Sequence, residues 1–137
     1  MRLLIDTNVI LDYLLSREGF SEQAKQVLDL AQYSGDFEFV SSSAVTDIFY
    51  HARKELKSSF EAQDRILELI KFISIMTVTE QDIRAALKLR WKDFEDAVQY
   101  AVAMSNGVDA IITRNVKDFE RQDVPVMTPG EFLNNFG

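Results

Sequence analysis

The chain has 137 residues, 47% of them hydrophobic and 27% charged, with five glycines and two prolines, an ordinary globular composition that excludes wholesale disorder. Fifteen Lys and Arg against 22 Asp and Glu give a net charge of −7, which excludes a generic nucleic-acid coat but not an enzyme whose bound cations supply positive charge locally. Cysteine is absent and histidine occurs once, at His51, so disulfides, thiolate catalysis, Cys-based zinc sites and His-rich metal sites are excluded.

One domain over residues 1–137 is expected, since the sequence holds no repeat or linker. Leu3-Leu4-Ile5 predicts a short buried strand. Asp6 interrupts it and Asp12 interrupts the next apolar run, so neither a signal peptide nor a membrane span is expected, and a cytoplasmic protein is. Asp6-Thr7-Asn8 supplies helix-starting chemistry before Val9, Ile10, Tyr13 and Leu14, which recur at helical spacing. A second helix is predicted from Ser21, as N-cap, to Tyr33, with Ala24, Val27, Leu28 and Ala31 on one face and Ser34-Gly35 as its stop.

Phe37 to Val40 reads as a strand. After three serines a helix is predicted from Ala44 to Lys57, with Val45, Ile48, Phe49, Ala52 and Leu56 inward. Another runs from Phe60 to Ile73, carrying Ile66, Leu67, Leu69 and Ile70, and Ile75 to Val78 is a short strand. Thr79 with Asp82 is a capping box for a helix to Arg90. Asp93 with Asp96 opens a helix to Ser105, with a stripe of Phe94, Ala97, Val98, Ala101 and Val102, ended by Asn106-Gly107. Ala110 to Thr113 is a strand, Val124 to Met127 an edge strand, and Pro129 opens a last short helix. Short apolar strands alternating with helices predict a parallel α/β sheet covered on both faces.

In such sheets, ligands sit beyond the carboxyl ends of the strands. Asp6 follows the first strand, and Thr113, Asn115 and Asp118 follow the strand at 110–113. Asp47 lies in the first turn of the helix expected after Phe37–Val40, and Asp93, Glu95 and Asp96 lie in the first turn of the helix that precedes 110–113. Two bare carboxylates about 5 Å apart repel by roughly 3 kcal/mol at an effective dielectric of about 20. A cluster of them either takes up protons or binds a divalent cation. With oxygen donors and no Cys or His pair, the cation is Mg²⁺ or Mn²⁺, and the chemistry such a site serves best is phosphodiester hydrolysis.

Four segments carry a family resemblance: Asp6-Thr7-Asn8-Val9-Ile10, Thr46-Asp47-Ile48-Phe49, Phe94-Glu95-Asp96-Ala97, and Ile112-Thr113-Arg114-Asn115-Val116-Lys117-Asp118-Phe119. In order and spacing the chain resembles the PIN-domain family of metal-dependent ribonucleases. The resemblance implies a three-layer α/β/α fold with a central, mainly parallel sheet. It implies an acidic pocket binding one or two Mg²⁺ or Mn²⁺ ions, with Asp6, Asp47, Asp96 and Asp118 as catalytic carboxylates and Asp6 and Asp96 as direct metal ligands. Asn115 stands where many relatives carry Asp, so Asp118 takes the fourth acidic role and Asn115 contributes a neutral oxygen. Thr7, Asn8 and Thr113 match positions that orient the carboxylates and a water. Many small members are VapC-like toxins with an antitoxin partner, and others are solitary.

The implied activity is Mg/Mn-dependent endoribonuclease action on an RNA substrate. Arg114, Lys117 and Lys54 are the foremost candidates for RNA contacts, Arg114 and Lys117 because they flank the acidic motif. Asp93 and Glu95 read as helix-starting residues beside the pocket, His51 as a surface residue and Trp91 as a core residue. An alternative reading is a PIN scaffold acting as an RNA- or protein-binding module, favoured by the weakened fourth acidic position. A receiver-type phosphoryl-transfer domain would need an Asp where Ser41-Ser42-Ser43 stands. The apolar face of the first two helices offers a surface for an antitoxin or a homodimer.

Overall fold

In the computed structural model, which describes residues 1–33 and 37–136, β1 (Arg2–Ile5) lies at the centre of one five-stranded sheet. Its neighbours are β2 (Phe37–Ser41) and β4 (Ala110–Ile112), with β3 (Ser74–Met76) and β5 (Val126–Met127) outside them. The spatial order is β3-β2-β1-β4-β5, and every pairing is parallel. Leu3 stands beside Glu38 on one side and Ala110 on the other.

Between β1 and β2 run α1 (Thr7–Leu14) and α2 (Ser21–Tyr33), and between β2 and β3 run α3 (Ser42–Leu56) and α4 (Ser59–Leu69). Helices α5 (Glu80–Leu89) and α6 (Phe94–Ser105) connect β3 to β4, a 3₁₀ turn covers Val116–Asp118, and α7 (Pro129–Phe136) follows β5.

The period-2 alternation of side chains along a strand divides the apolar residues between two cores. Leu3, Ile5, Ala110 and Ile112 face one, built with α1, α2, α3, α4 and α7. Leu4 and Ile111 face the other, built with α5 and α6. Both faces of the sheet are thus covered, in three layers, as the sequence predicts. Trp91 packs against the second core, edge-on to Phe119 and tilted over Tyr100. Among the described residues no helix is long and apolar enough to cross a membrane.

The caps read from sequence form as expected. The Asp6 side chain accepts from the Thr7 N–H, and Asp93 accepts from the Asp96 N–H. Thr79 and Asp82 make both bonds of a capping box. Pro129 opens α7. Ser41 caps α3, so that helix starts before the expected Ala44. Ser21 is the first helical residue of α2 rather than its cap, because the Arg17 carbonyl already receives the Ser21 N–H.

Three packing expectations are corrected. Phe94, the first residue of α6, is exposed, while Ala97, Val98, Ala101 and Val102 are buried. Leu67 and Ile70 are exposed, and α4 ends at Leu69 rather than Ile73. Residues 70–73 wind through turns that drop Ile73 into the core before β3. The expected strand at Ile75–Val78 shifts back to Ser74–Met76, with Ile75 exposed on this edge. The stop at Ser34-Gly35 and the side chain of Ala31 fall outside the described residues.

Candidate functional site

The strand order reverses between β1 and β4, because the chain builds outward from β1 to β3 and then returns to the far side of β1. A crevice at such a reversal is the natural ligand site of an open parallel sheet. Asp6 and Thr113 are the first residues past these two strands, and the Asp6 N–H donates to the Ile112 carbonyl at 2.9 Å.

The Asp6 carboxylate is buried and tightly held. Its Oδ1 accepts from the Thr7 backbone N–H at 2.8 Å and from Gln99 Nε2 at 3.1 Å. Its Oδ2 accepts from Thr113 Oγ1 at 2.7 Å and more weakly from Asn8 Nδ2 at 3.4 Å. Asn8 is fixed in turn, because its Oδ1 accepts the Arg114 N–H and its Nδ2 also reaches Thr113 Oγ1. The Asn115 N–H closes the ring by donating to Thr113 Oγ1 at 3.0 Å. Of the residues expected to orient the carboxylate, Asn8 and Thr113 do so through side chains and Thr7 through its backbone.

Asp96 lies on the first turn of α6, across from Asp6, and is buried. One carboxylate oxygen from each of Asp93, Asp96 and Asp118 lies within 4.8 Å of the other two. Asp47, half-buried on α3, meets His51 Nε2 at 3.4 Å. These elements enclose a cavity of about 450 Å³ lined by Asp6, Asp47, Asp93, Glu95, Asp96 and Asn115. Asp93 and Glu95, read from sequence as helix-starting residues, therefore line the pocket. Asp93 still caps α6, so it serves both ends.

The electrostatics follow from burial and crowding. Desolvation first, then the neighbouring charges of Asp6, Asp93, Asp118 and Glu95, pushes the Asp96 carboxyl up to about 8. Burial likewise raises Asp6, against the lowering pull of its hydrogen bonds from Thr113 and Gln99. Glu95 is raised by burial and by Asp47 and Asp93. Carboxylates crowded to this degree hold protons or share a cation.

Two residues of the pocket escaped the sequence reading. Gln99 was hidden within the buried face of α6. It is nearly fully buried, its Nε2 serves Asp6, and its Oε1 has no hydrogen-bond partner among the described residues. Turning the amide over would set its carbonyl against the Asp6 carboxylate, so this orientation follows from the chemistry. Arg17 also lines the cavity.

The cations named from sequence stand elsewhere. Lys54 and Lys117 are exposed and outside the cavity lining. Arg114 grips the buried Asp12 with Nε at 2.7 Å and Nη2 at 3.2 Å, and its guanidinium lies 4.1 Å from the centre of the Phe20 ring. It is thereby turned from the acidic motif beside it and used to neutralise Asp12.

Known proteins share this architecture and sequence. A sequence model of the PIN domain matches residues 2–117. Ribonuclease VapC1 of Aquifex aeolicus (strain VF5) is 27% identical over 143 aligned positions, covering 98% of this chain and 95% of the relative. A toxin-antitoxin complex from Klebsiella pneumoniae is similar with a TM-score of 0.70 and 26% identity, covering 93% of this chain and 97% of that one. The structure of VapBC-1 from nontypeable Haemophilus influenzae shares the fold, with a TM-score of 0.73 at 22% identity, over 95% and 99% of the two chains. With a family match over most of its length and the five-stranded parallel sheet that these structures share, the chain belongs to the PIN-domain family.

Proposed function

We propose that this protein is a divalent-metal-dependent endoribonuclease that hydrolyses RNA phosphodiester bonds and acts as the toxin of a toxin–antitoxin pair. The observation that carries the reading is the gathering of carboxylates at the sheet reversal, where Asp6 and Asp96 are buried and Asp96 is pushed up to about 8 by burial and by its acidic neighbours. A ribonuclease relative aligned over nearly the whole chain supports the substrate class. A similar structure described as a toxin-antitoxin complex supports a protein antitoxin as partner.

The residues fit a hard cation. Every charged donor is a carboxylate oxygen, Asn115 and Gln99 add neutral oxygens nearby, and no thiolate is present to favour a softer metal. Asp6 and Asp96 would hold Mg²⁺ or Mn²⁺, with Asp47, Asp93 and Asp118 around them. Such an ion supplies an activated water and offsets the charge that builds on the phosphate.

The chain's own residues do the rest. Four donors fix Asp6, so its orientation is set before anything binds. The dipole of α6 favours negative charge at Asp93 and Asp96. Asp118 reaches the same cluster from the turn after β4.

The test is cleavage of a mixed structured and single-stranded RNA pool in Mn²⁺, Mg²⁺ or EDTA by wild type and Asp6→Asn. Asparagine keeps the helix cap, and circular dichroism checks that the variant folds. Metal-dependent cleavage that the variant lacks is the expected result. A folded, metal-binding wild type that cuts no RNA would overturn the assignment in favour of a binding scaffold, and full activity in Asp6→Asn would remove Asp6 from the centre.

A further inference from the structure

The acidic pocket faces an anionic substrate, and its lining holds five carboxylates against one permanently charged cation, Arg17. We propose that Arg17 receives a phosphate of the RNA backbone at the mouth of the pocket, and that Glu55 holds its guanidinium until the RNA is present. The inference rests on the ribonuclease reading and names the residue that meets its substrate.

The backbone fixes where Arg17 stands. Helix α1 ends in a Schellman motif: Ser16 adopts a left-handed conformation with φ 50°. The Ser16 N–H returns to the Tyr13 carbonyl at 3.4 Å, and the Arg17 N–H to the Asp12 carbonyl at 3.1 Å. This motif commonly brings its last residue against the side chain one turn back. Here those residues are Arg17 and Asp12, and Nη1 lies 3.6 Å from Asp12 Oδ1. The Arg17 carbonyl receives the N–H groups of Phe20 and Ser21, which ties the same residue to the start of α2.

The charges around Asp12 leave Arg17 in surplus. Asp12 is buried and already neutralised by the two-pronged contact from Arg114. A second guanidinium beside it has little charge left to meet. Its remaining strong contact is Nη2 to Glu55 Oε1 at 3.0 Å, and Glu55 is half exposed. An exposed ion pair of that kind holds weakly and is screened by salt. A phosphodiester offers the guanidinium the same paired oxygens. Glu55 therefore competes with the RNA for one cation.

The experiment measures binding apart from cleavage. A fluorescein-labelled 12-nucleotide single-stranded RNA is titrated in Mg²⁺ by fluorescence anisotropy against Asp6→Asn alone and combined with Arg17→Gln or Glu55→Gln. Arg17→Gln is expected to weaken binding about tenfold and to reduce the slope of log Kd against log salt by about 0.7, the loss of one phosphate contact to a single strand. Glu55→Gln frees the guanidinium and is expected to tighten binding about threefold. Thermal melts identify a folding defect in Arg17→Gln, and Glu55→Gln, at an exposed position, carries the test if one is found. Equal binding by Asp6→Asn and its Glu55→Gln derivative overturns the proposal. If wild type cleaves the RNA pool while the variants bind alike, the Arg17 assignment alone is wrong. If wild type neither cleaves nor binds RNA, the ribonuclease reading fails with it.

Discussion

Asp96 ties stability to pH. Its ordinary value is 3.8 and in the fold it is pushed up to about 8, so between these values the native chain holds a proton that the unfolded chain has released. Stability from this group is therefore fully present below the unfolded value and drains away as pH rises through the folded one. In EDTA, melting temperature should fall from pH 5 to pH 8, and Asp96→Asn should flatten the slope and melt higher than wild type at pH 8. A wild-type curve that rises over that range would contradict the crowding described for the pocket. Because a cation must displace this proton, metal affinity should increase over the same range. The acidic residues were legible in sequence because they lie just past a strand or near a helix start, where topology alone predicts convergence, with Asp47 in the second turn of α3 rather than its first. Arg17 and Gln99 were not. Gln99 interrupts the apolar stripe of α6, and only the meeting of α6 with the end of β1 gives it Asp6 as a partner. Arg17 reads as one more charge in a polar loop until the backbone turn at Ser16 aims it. Arg114 misleads in the opposite sense, since its sequence neighbours are the acidic motif and its spatial partner is Asp12, far away in the chain.

At the scale of elements, side-chain chemistry explains the helix starts better than it explains the stops. Asp6, Thr79 and Asp93 announce themselves through side-chain chemistry that acts within three residues. The left-handed residues at Ser16, Lys57 and Arg90 carry no glycine signal, although the helix ends read at Lys57 and Arg90 fall on them. Each pays in conformational strain for a stop that glycine would give freely. Ser16→Gly should therefore stabilise the fold by about 0.5–1 kcal/mol in a urea titration, with the Schellman bonds kept. A loss of stability instead would show that the serine side chain contributes more than its backbone strain costs. The early end of α4 has a different cause. Leu67 and Ile70 continue an apolar run that periodicity reads as helix, but the chain must turn to bring Ile73 under the sheet, and tertiary demand overrides the local pattern.

At the scale of the whole molecule, the pocket draws on both helical layers. Asp6 and Asp47 come from α1's cap and α3, which belong to the first core, and Asp93 and Asp96 come from α6, which belongs to the second. A divalent ion bound by the native state alone adds stability by mass action, about 2.7 kcal/mol at one hundred times its dissociation constant. For a chain of 137 residues that is roughly 9 °C in melting temperature. Millimolar Mn²⁺ or Mg²⁺ at pH 8 should raise the melting temperature, while NaCl at equal ionic strength should not, and Asp6→Asn should lose most of the rise. Equal shifts in wild type and variant would point to a cation site elsewhere.

The Schellman turn at Ser16 reaches further than the helix it ends. The same few residues stop α1 and start α2 through main-chain bonds, and so bring the arginine at position 17 to the lining of the pocket. The address of the charge is thus separable from the charge itself. A lineage built on this backbone can exchange arginine for lysine, glutamine or a hydrophobic residue at position 17 without rebuilding the scaffold, and in doing so retune how strongly, and at what ionic strength, a polyanion is retained beside an unchanged set of carboxylates.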